Sequence, residues 1–337
     1  MLVQTDRAQD LARRILAKVG APPEHADLQA SALLEAELRG FASHGLLRLP
    51  RIVERVRNGV ADPAAKGSGH WRAQAVYEVD GEGGLGPVVA VEAIRHVAAR
   101  ARETGVSLAA IRNAGHLGAI GWYAERVAQA GQIAVVITTS EALVHPWGGR
   151  KALIGTNPIA VGVPAAPHPF VLDMATGVVS MGKIHDHANR GMPVEPGWAL
   201  DCDGTPTRDA ERAREGAITP FGGAKGYGLA LAFELLVVAL TRSALGTGVT
   251  GTLDSTLPAT KGDVILVMEP EAATLGPIAE YLDEIRDCPP IEEGAAVAVP
   301  GDRGRARRER TLAEGIEVPE GVWNALQGLV TGQFQES

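Results

Sequence analysis

Two histidines and an arginine sit in contexts suited to moving a proton and holding an anion. In the segment Ala42-Ser43-His44-Gly45-Leu46-Leu47-Arg48, Ser43 is a plausible helix cap, and His44 and Arg48, four apart, then share one helical face. An arginine grips a carboxylate with two parallel hydrogen bonds. A histidine titrates near neutrality and can give a proton to a carbonyl oxygen as hydride arrives at carbon. That pair is what reduction of a 2-oxo acid requires. Alone, the same residues also describe a surface helix with two polar side chains. The second segment, Gly115-His116-Leu117-Gly118-Ala119-Ile120-Gly121, sets His116 among glycines at a helix start, where backbone N–H groups attract phosphate or carboxylate. It reads equally as a core histidine in a tight strand-to-helix turn.

Four further segments carry chemistry-bearing residues. Gly155-Thr156-Asn157-Pro158 is a polar turn between apolar stretches, and Asp173-Met174-Ala175-Thr176-Gly177 is followed by Gly182-Lys183. Gly222, Gly223, Gly226 and Gly228 surround Ala224 and Lys225, permitting close backbone approach to a ligand with a point charge for phosphate. Pro300-Gly301-Asp302-Arg303 reads as a turn, with Arg305, Arg307, Arg308 and Arg310 beyond it as a solvated basic face. Gly81, Gly83 and Gly86 spell the dinucleotide fingerprint G-x-G-x-x-G. The acidic residue expected after the next strand is replaced by Arg112 and Asn113, and a chain with 41 glycines produces chance matches. A turn feeding a helix is the plainer reading. No metal site is expected, since His185-Asp186-His187 lacks an evident third ligand.

The elements that must position these residues are legible from periodicity. Residues 1–60 read as helices, with starts at Thr5-Asp6 and Pro22-Pro23 and a third helix after His44 carrying Leu46, Leu49, Ile52, Val53 and Val56. From residue 71, strands (75–79, 106–111, 133–138, 159–163, 170–174, 263–268, 295–299) alternate with helices (87–102, 121–130, 227–240, 278–286). Residues 185–220 read as an extended polar connection, and 319–330 as a terminal helix. The apolar run 229–240 is too short for a bilayer, which needs roughly 20 residues, and is expected as a buried helix. With 337 residues and 45% hydrophobic content the chain can bury a large core. A net charge of -8 and 4% aromatic residues speak against a nucleic-acid partner. Two cysteines, Cys202 and Cys288, and no signal-peptide pattern fit a cytoplasmic protein with no membrane association.

Taken in series, Ser-His-Gly, Gly-His-x-Gly, Gly-Thr-Asn-Pro, Asp-Met-Ala-Thr, Gly-Gly-x-Lys-Gly and Pro-Gly-Asp resemble the second, non-Rossmann family of malate/L-lactate dehydrogenases, from about residue 5 to 325. That family includes ureidoglycolate, sulfolactate and malate dehydrogenases, diketogulonate reductase and piperideine-2-carboxylate reductase. The resemblance implies an α/β fold: a helical part at 1–70, joined by 305–337, and an NAD(P)-binding domain at 71–304 with a largely antiparallel mixed sheet. It implies hydride transfer between NAD, or NADP, and a small 2-oxo or 2-hydroxy acid, in a homodimer. The alternatives within the family are reduction of a cyclic imino acid or of a diketo sugar acid. By the same resemblance Ser43, His44 and His116 are catalytic, with either histidine as acid/base, and Arg48 and Thr156 bind substrate. The cofactor is expected on His116, Leu117, Gly118, Ala119, Ile120, Ser140, Asp173, Met174, Ala175, Ala224, Lys225, Gly301, Asp302 and Arg303. Two departures stand out. Residues Glu141 to His145 replace the family's usual small or polar residues, and Lys183 stands where imino-acid reductases carry an aspartate, which favours a hydroxy acid.

Overall fold

The structure is a computed structural model that describes residues 1–331. After a short strand β1 (Leu2–Val3) the chain forms α1 (Thr5–Lys18), α2 (Pro23–Leu38) and α3 (Leu49–Arg57). In α1 the residues Ala8, Leu11, Ala12, Ile15 and Leu16 are buried, the spacing of one helical face. A proline in the first turn starts α2, and Gly40, at φ +83°, follows its end.

The central element is a seven-stranded sheet. Its strands are β2 (Ser68–Ala73), β3 (Val76–Asp80), β4 (Val106–Arg112), β5 (Ile133–Thr138), β8 (Ile159–Val163), β9 (Phe170–Met174) and β13 (Gly262–Met268). They lie in the order β2-β3-β4-β13-β5-β8-β9, and only β3 and β4 run parallel. The mixed, largely antiparallel sheet is the one expected, and it differs from the parallel sheet that a Rossmann fold needs. Alternation along β13 sends Ile265 and Val267 to the face covered by α4 (Gly86–Thr104) and α5 (Gly121–Gln129), and Val264 to the face covered by α8 (Ala224–Thr241).

The glycine fingerprint has a packing explanation. Gly81 and Gly83 donate their N–H groups to the carbonyls of Arg112 and Asn113, both at 2.8 Å, and Gly115 donates to Gly84 at 2.9 Å. A side chain at Gly86 would collide with the carbonyls of Gly115 and His116. These glycines let one strand-to-helix turn seat against the turn that carries His116, and the amides of Gly81 and Gly83 are already taken.

Several expectations are corrected. Residues 185–220 are not an extended connection. They contribute α6 (Met181–Asn189), α7 (Ala210–Arg214) and the two-residue strands β10 (Ala199–Leu200), β11 (Pro206–Thr207) and β12 (Ala217–Ile218). With β6 (Ala142–Val144) and β7 (Ile154–Gly155) these strands build a second sheet over Val144, Ile184, Val194 and Ile218. Such short elements are below the length at which periodicity speaks. Residues 295–299 form no strand. After α9 (Leu275–Arg286) the basic run lies in α10 (Asp302–Glu314), where Asp302 bonds Arg286 and Arg305, and Arg308 pairs with Glu35 of α2 at 2.8 Å. The terminal strand β14 (Ile316–Glu317) pairs with β1, and α11 (Glu320–Thr331) inserts Trp323, Leu326 and Leu329 into the core of the N-terminal helices.

Helix α8 is also not the buried helix expected. By length and composition its 18 residues could cross a membrane, yet Ala230, Glu234, Val237 and Thr241 form a buried stripe packed on the sheet. Leu229, Leu235 and Leu236 face outward and are exposed. Glu234 accepts hydrogen bonds from Asn157 Nδ2 at 2.9 Å and from the amide of Gly246 at 2.6 Å, which locks the Gly-Thr-Asn-Pro turn onto the helix. Truncating it leaves buried donors unpaired. Glu234→Ala should lower unfolding free energy by roughly 2–3 kcal/mol in a urea titration; an unchanged midpoint would show that Glu234 is not what holds the turn.

Candidate active site

The Ser-His-Gly segment does not form the α-helix expected of it. Residues Ala42–His44 and Leu46–Arg48 are two 3₁₀ turns, broken at Gly45, where the backbone is extended in ψ (φ -96°, ψ -142°). Ser43 lies inside the first turn and caps nothing; Arg48 is the residue before α3. The reason is Glu37 of α2. Its carboxylate accepts the Leu46 amide at 2.7 Å, and a side chain at Gly45 would run into it. Burial pushes the Glu37 carboxyl up to about 7.

This kinked segment still brings the expected residues together. The rings of His44 and His116 lie 5.3 Å apart, centre to centre, tilted by 37°. Both line a cleft with Arg48, Arg51, Arg55, Gly84 to Gly86 and Thr252. His116 reaches it from the turn between β4 and α5, held by Tyr123, whose hydroxyl donates to Leu117 O at 2.5 Å. The Gly118 amide donates to His116 Nδ1 at 3.0 Å. A backbone N–H can only donate, so Nδ1 is unprotonated and the ring proton sits on Nε2. His44 Nδ1 faces the Ser43 hydroxyl at 3.0 Å, a partner that can give or take a proton.

Arg48 donates from Nε to Ser43 O at 2.8 Å and from Nη1 to Thr252 O at 2.9 Å. Nη2 and the second hydrogen of Nη1 remain for a ligand. Burial and the neighbouring Arg51 bring Arg48 down to about 10, so it stays charged at neutral pH. Burial, with the Arg48 charge behind it, lowers His44 to about 4 and holds His116 well below the usual histidine range. Both imidazoles are neutral at pH 7.

Thr156, Ser140, Asp173 to Ala175, Ala224, Lys225 and Gly301 to Arg303 are not among the residues lining this cleft. Asp173 accepts the Gly121 amide at 2.8 Å, and burial pushes its carboxyl up to about 6. Beyond Met174 and Ala175, Thr176 bonds Thr156 O through both its amide (2.8 Å) and its hydroxyl (2.7 Å), and accepts the Phe221 amide at 3.0 Å, which leads to Ala224 and Lys225. Thr156 shares its hydroxyl with Ser140 Oγ at 3.1 Å. Gly301 packs on Val171, next but one to Asp173. The Asp302 carboxylate is occupied by Arg286, Arg305 and the Val299 amide, whereas Arg303 is exposed. Lys183 stacks on Trp198, 4.7 Å from the ring centre.

Several cleft residues were not foreseen. A strap at 251–257 closes one side. Arg55 donates to Asp254 O and Leu257 O at 3.0 and 2.9 Å, and Asn58 to Ser255 O at 2.8 Å. Glu141 accepts the amides of Thr252 and Leu253 at 2.7 and 2.8 Å. Glu141 stood out in the sequence only as a departure, with nothing to show what it holds. Arg51 and Arg55, three and seven residues after Arg48, share its helical face, a spacing that could have flagged them.

Comparison with known proteins defines the class first. The fold superposes on solved dehydrogenases, among them a dehydrogenase from Sinorhizobium meliloti with a TM-score of 0.96 and 51% identity, covering 98% of both chains. This is an oxidoreductase. The chain belongs to the malate/L-lactate dehydrogenase family, whose model matches residues 3–327. Among characterised relatives, the L-sulfolactate dehydrogenase of Methanocaldococcus jannaschii is 35% identical over 97% of this chain and 96% of its own. The (2R)-3-sulfolactate dehydrogenase (NADP(+)) of Chromohalobacter salexigens is 35% identical over 97% of each chain.

The neutral state of His44 has a consequence for stability. Its folded value lies below the unfolded one, so the unfolded chain takes up the proton first. The stability it contributes is complete above about pH 6.5 and is lost as pH falls toward 4. Denaturation midpoints at pH 7 and pH 5 should therefore differ more for the parent than for His44→Gln. Equal differences would remove His44 from the acid response.

Proposed function

We propose that this protein is an NAD(P)-dependent dehydrogenase that interconverts a small 2-oxo acid and its 2-hydroxy acid. The observation that carries the reading is the convergence of two neutral imidazoles, 5.3 Å apart, with the charged Arg48 in one cleft. Lysine at position 183 also favours a hydroxy acid over a cyclic imine.

The chain has a plausible seat for the cofactor. Gly118 and Gly222, at φ +78° and +58°, have open space where a side chain would stand, and Lys225 is exposed with no ion pair among the described residues. Such backbone and a free lysine suit a pyrophosphate. Residues 116–120, Ser140, 173–175, Ala224, Lys225, Gly301 and Arg303 would hold it. When bound, the nicotinamide supplies hydride to the carbonyl carbon.

The residues of this chain then divide the remaining work. Arg48 holds the carboxylate through Nη1 and Nη2. His116, fixed by the Gly118 amide with its proton on Nε2, donates a hydrogen bond to the carbonyl oxygen and orients it. Protonating its Nδ1 would break that amide bond, so His116 is poorly suited to carry a second proton. His44 can take one without losing a partner, because the Ser43 hydroxyl reverses its role. His44 is therefore assigned as the acid/base and Ser43 as its orienting partner. The substrate carboxylate offsets the Arg48 charge, which raises His44 on binding and loads it with the proton it gives up.

The exposed leucines of α8 support a second copy of the chain seated on that helix, as a homodimer.

Because His44 is near 4 in the free enzyme, log kcat/KM for 2-oxo acid reduction should fall with a slope of -1 over about pH 6–9, while that for hydroxy-acid oxidation stays flat. His44→Gln should lower kcat by roughly 10²–10⁴-fold and abolish the slope. Arg48→Lys should raise KM by about tenfold, since a lysine lacks the two-pronged fork. NADH and NADPH oxidation at 340 nm against a panel of 2-oxo acids, with NAD(P) reduction by the matching 2-hydroxy acids, checks all three. Failure of every oxo acid in cofactor-bound protein would sink the reading.

A further inference from the structure

The cleft that holds His44, Arg48 and His116 has a free volume of about 40 Å³. That is room for about three waters, and a three-carbon 2-oxo acid has twice as many heavy atoms. Sites for small ligands measure about 300–1,000 Å³. A wall must therefore move to admit substrate. Most of the walls are anchored in apolar cores. Leu33 of α2 and Leu49 and Val53 of α3 belong to the core of the N-terminal helices, and Ala114, Leu117 and Ile120 around His116 belong to the core of the large sheet. The wall made by Gly251 and Thr252 differs. Among the described residues, none from 251 to 259 belongs to a hydrophobic cluster, and Leu253 and Leu257 are exposed.

The strap is one body on a narrow neck. Thr250 donates its amide to Thr260 Oγ1 at 2.8 Å and accepts the Thr260 amide at 3.2 Å, and a side chain at Gly251, at φ +84°, would collide with Ala259. Inside the strap, the Asp254 carboxylate accepts the amides of Gly251, Thr256 and Leu257 at 2.9, 3.0 and 2.7 Å. A loop whose ends meet and whose own side chain fills it is a compact Ω-loop, and its shape does not depend on the walls around it. Its ties to those walls are hydrogen bonds. Arg48, Arg55 and Asn58 hold the carbonyls of Thr252, Asp254, Leu257 and Ser255 from the helical part. Glu141, just before β6, holds the strap by its amides instead. Thr252 is thus gripped at both ends, its amide by Glu141 at 2.7 Å and its carbonyl by Arg48 Nη1 at 2.9 Å.

We propose that the strap 251–259 is a gate that opens the cleft as one body, and that Glu141 is its latch, a positioning residue that fixes the Thr252 carbonyl and through it the guanidinium of Arg48. The inference rests on the 2-oxo acid reading for what Arg48 holds, and not for the motion. Open, the strap gives up its bond to Arg48 and makes room for entry where Gly251 and Thr252 now stand. Closed, it returns the Thr252 carbonyl to Nη1, which aims the remaining N–H groups of Arg48 at the ligand. Glu141 is the tie that joins the strap to the α/β part, while its other side-chain partners lie on α3 or at its ends. A hydrogen bond to a charged group is strong enough to shift an opening equilibrium by about tenfold or more, and Glu141 accepts two.

The first test is amide hydrogen exchange of the whole protein, read by mass spectrometry on peptides from the strap and from β13. The strap amides of the parent should exchange by local opening, at least about 100-fold faster than those of β13. Glu141→Ala should quicken the strap by about a further tenfold or more and leave β13 unchanged. The second test is kinetics with whichever 2-oxo acid of the panel the protein reduces. Glu141→Ala should raise KM for the acid by about tenfold or more with kcat nearly unchanged. Glu141→Gln, which keeps an acceptor at Oε1, should recover most of both changes. A residue that only stabilised the fold would quicken β13 together with the strap and leave KM alone. Strap amides that exchange in step with β13, or a Glu141→Ala variant with strap exchange or KM at the parent value, would overturn the proposal. If no 2-oxo acid is reduced, the dehydrogenase reading fails separately, and the exchange comparison still decides the gate.

Discussion

Arg48 carries a full charge in a place where little water reaches it, and much of the cleft is arranged around that fact. Desolvating a guanidinium is expensive unless its N–H groups are met. Here two carbonyls meet them, Ser43 O from the kinked segment and Thr252 O from the strap. The charge therefore pins two separate pieces of chain and leaves one fork of donors for a ligand. Burial, with the Arg48 charge behind it, holds both histidines below the usual range. The buried Lys261, whose Nζ lies 2.6 Å from both carboxylate oxygens of Asp263, adds a weaker push on His116 in the same direction.

The fold serves this arrangement through close approach rather than through a phosphate-binding βαβ turn. The one parallel pair of the seven-stranded sheet, β3 and β4, brings two strand-to-helix turns side by side, and the glycines at 81–86 let the His116 turn settle against the first. The helical part contributes from the other side. Glu37 draws the Leu46 amide in and forces the break at Gly45, which orients His44 toward His116. The carboxylate of Asp173 ties the start of α5 to β9, and Glu234 ties the Gly-Thr-Asn-Pro turn to α8. Each is a buried carboxylate on backbone or amide donors, the kind of bond that fixes a loop where apolar packing alone would let it slide.

What the sequence disclosed follows from what periodicity and local motif can carry. Long helices and the β-branched strands were readable because their spacing is their signal. His44, Arg48 and His116 were readable as candidates because residue type implies chemistry. Glu37, Glu141 and the strap at 251–257 were not, because each acts on backbone amides far away in sequence: Glu141 meets Thr252 and Leu253 across more than a hundred residues. The small sheet of two- and three-residue strands was hidden by its brevity. The outward leucines of α8 misled for another reason: an apolar helix reads as buried whether its cover is this chain or another.

The electrostatics of the whole chain and of the cleft run in opposite directions, and the contrast is informative. The protein carries a net charge of -8, while the cleft is lined by three arginines and no carboxylate. A negative surface repels anions at long range, so general attraction cannot concentrate an acidic substrate on this protein. The positive potential is instead confined to a narrow, poorly hydrated space, where field lines focus and a guanidinium acts at close quarters. Selection among anions is thereby moved from encounter to contact. Within the cleft the three arginines differ in what already holds them: Arg55 is bonded to the strap, Arg48 to the strap with donors to spare, and Arg51 to no described residue by hydrogen bond or ion pair.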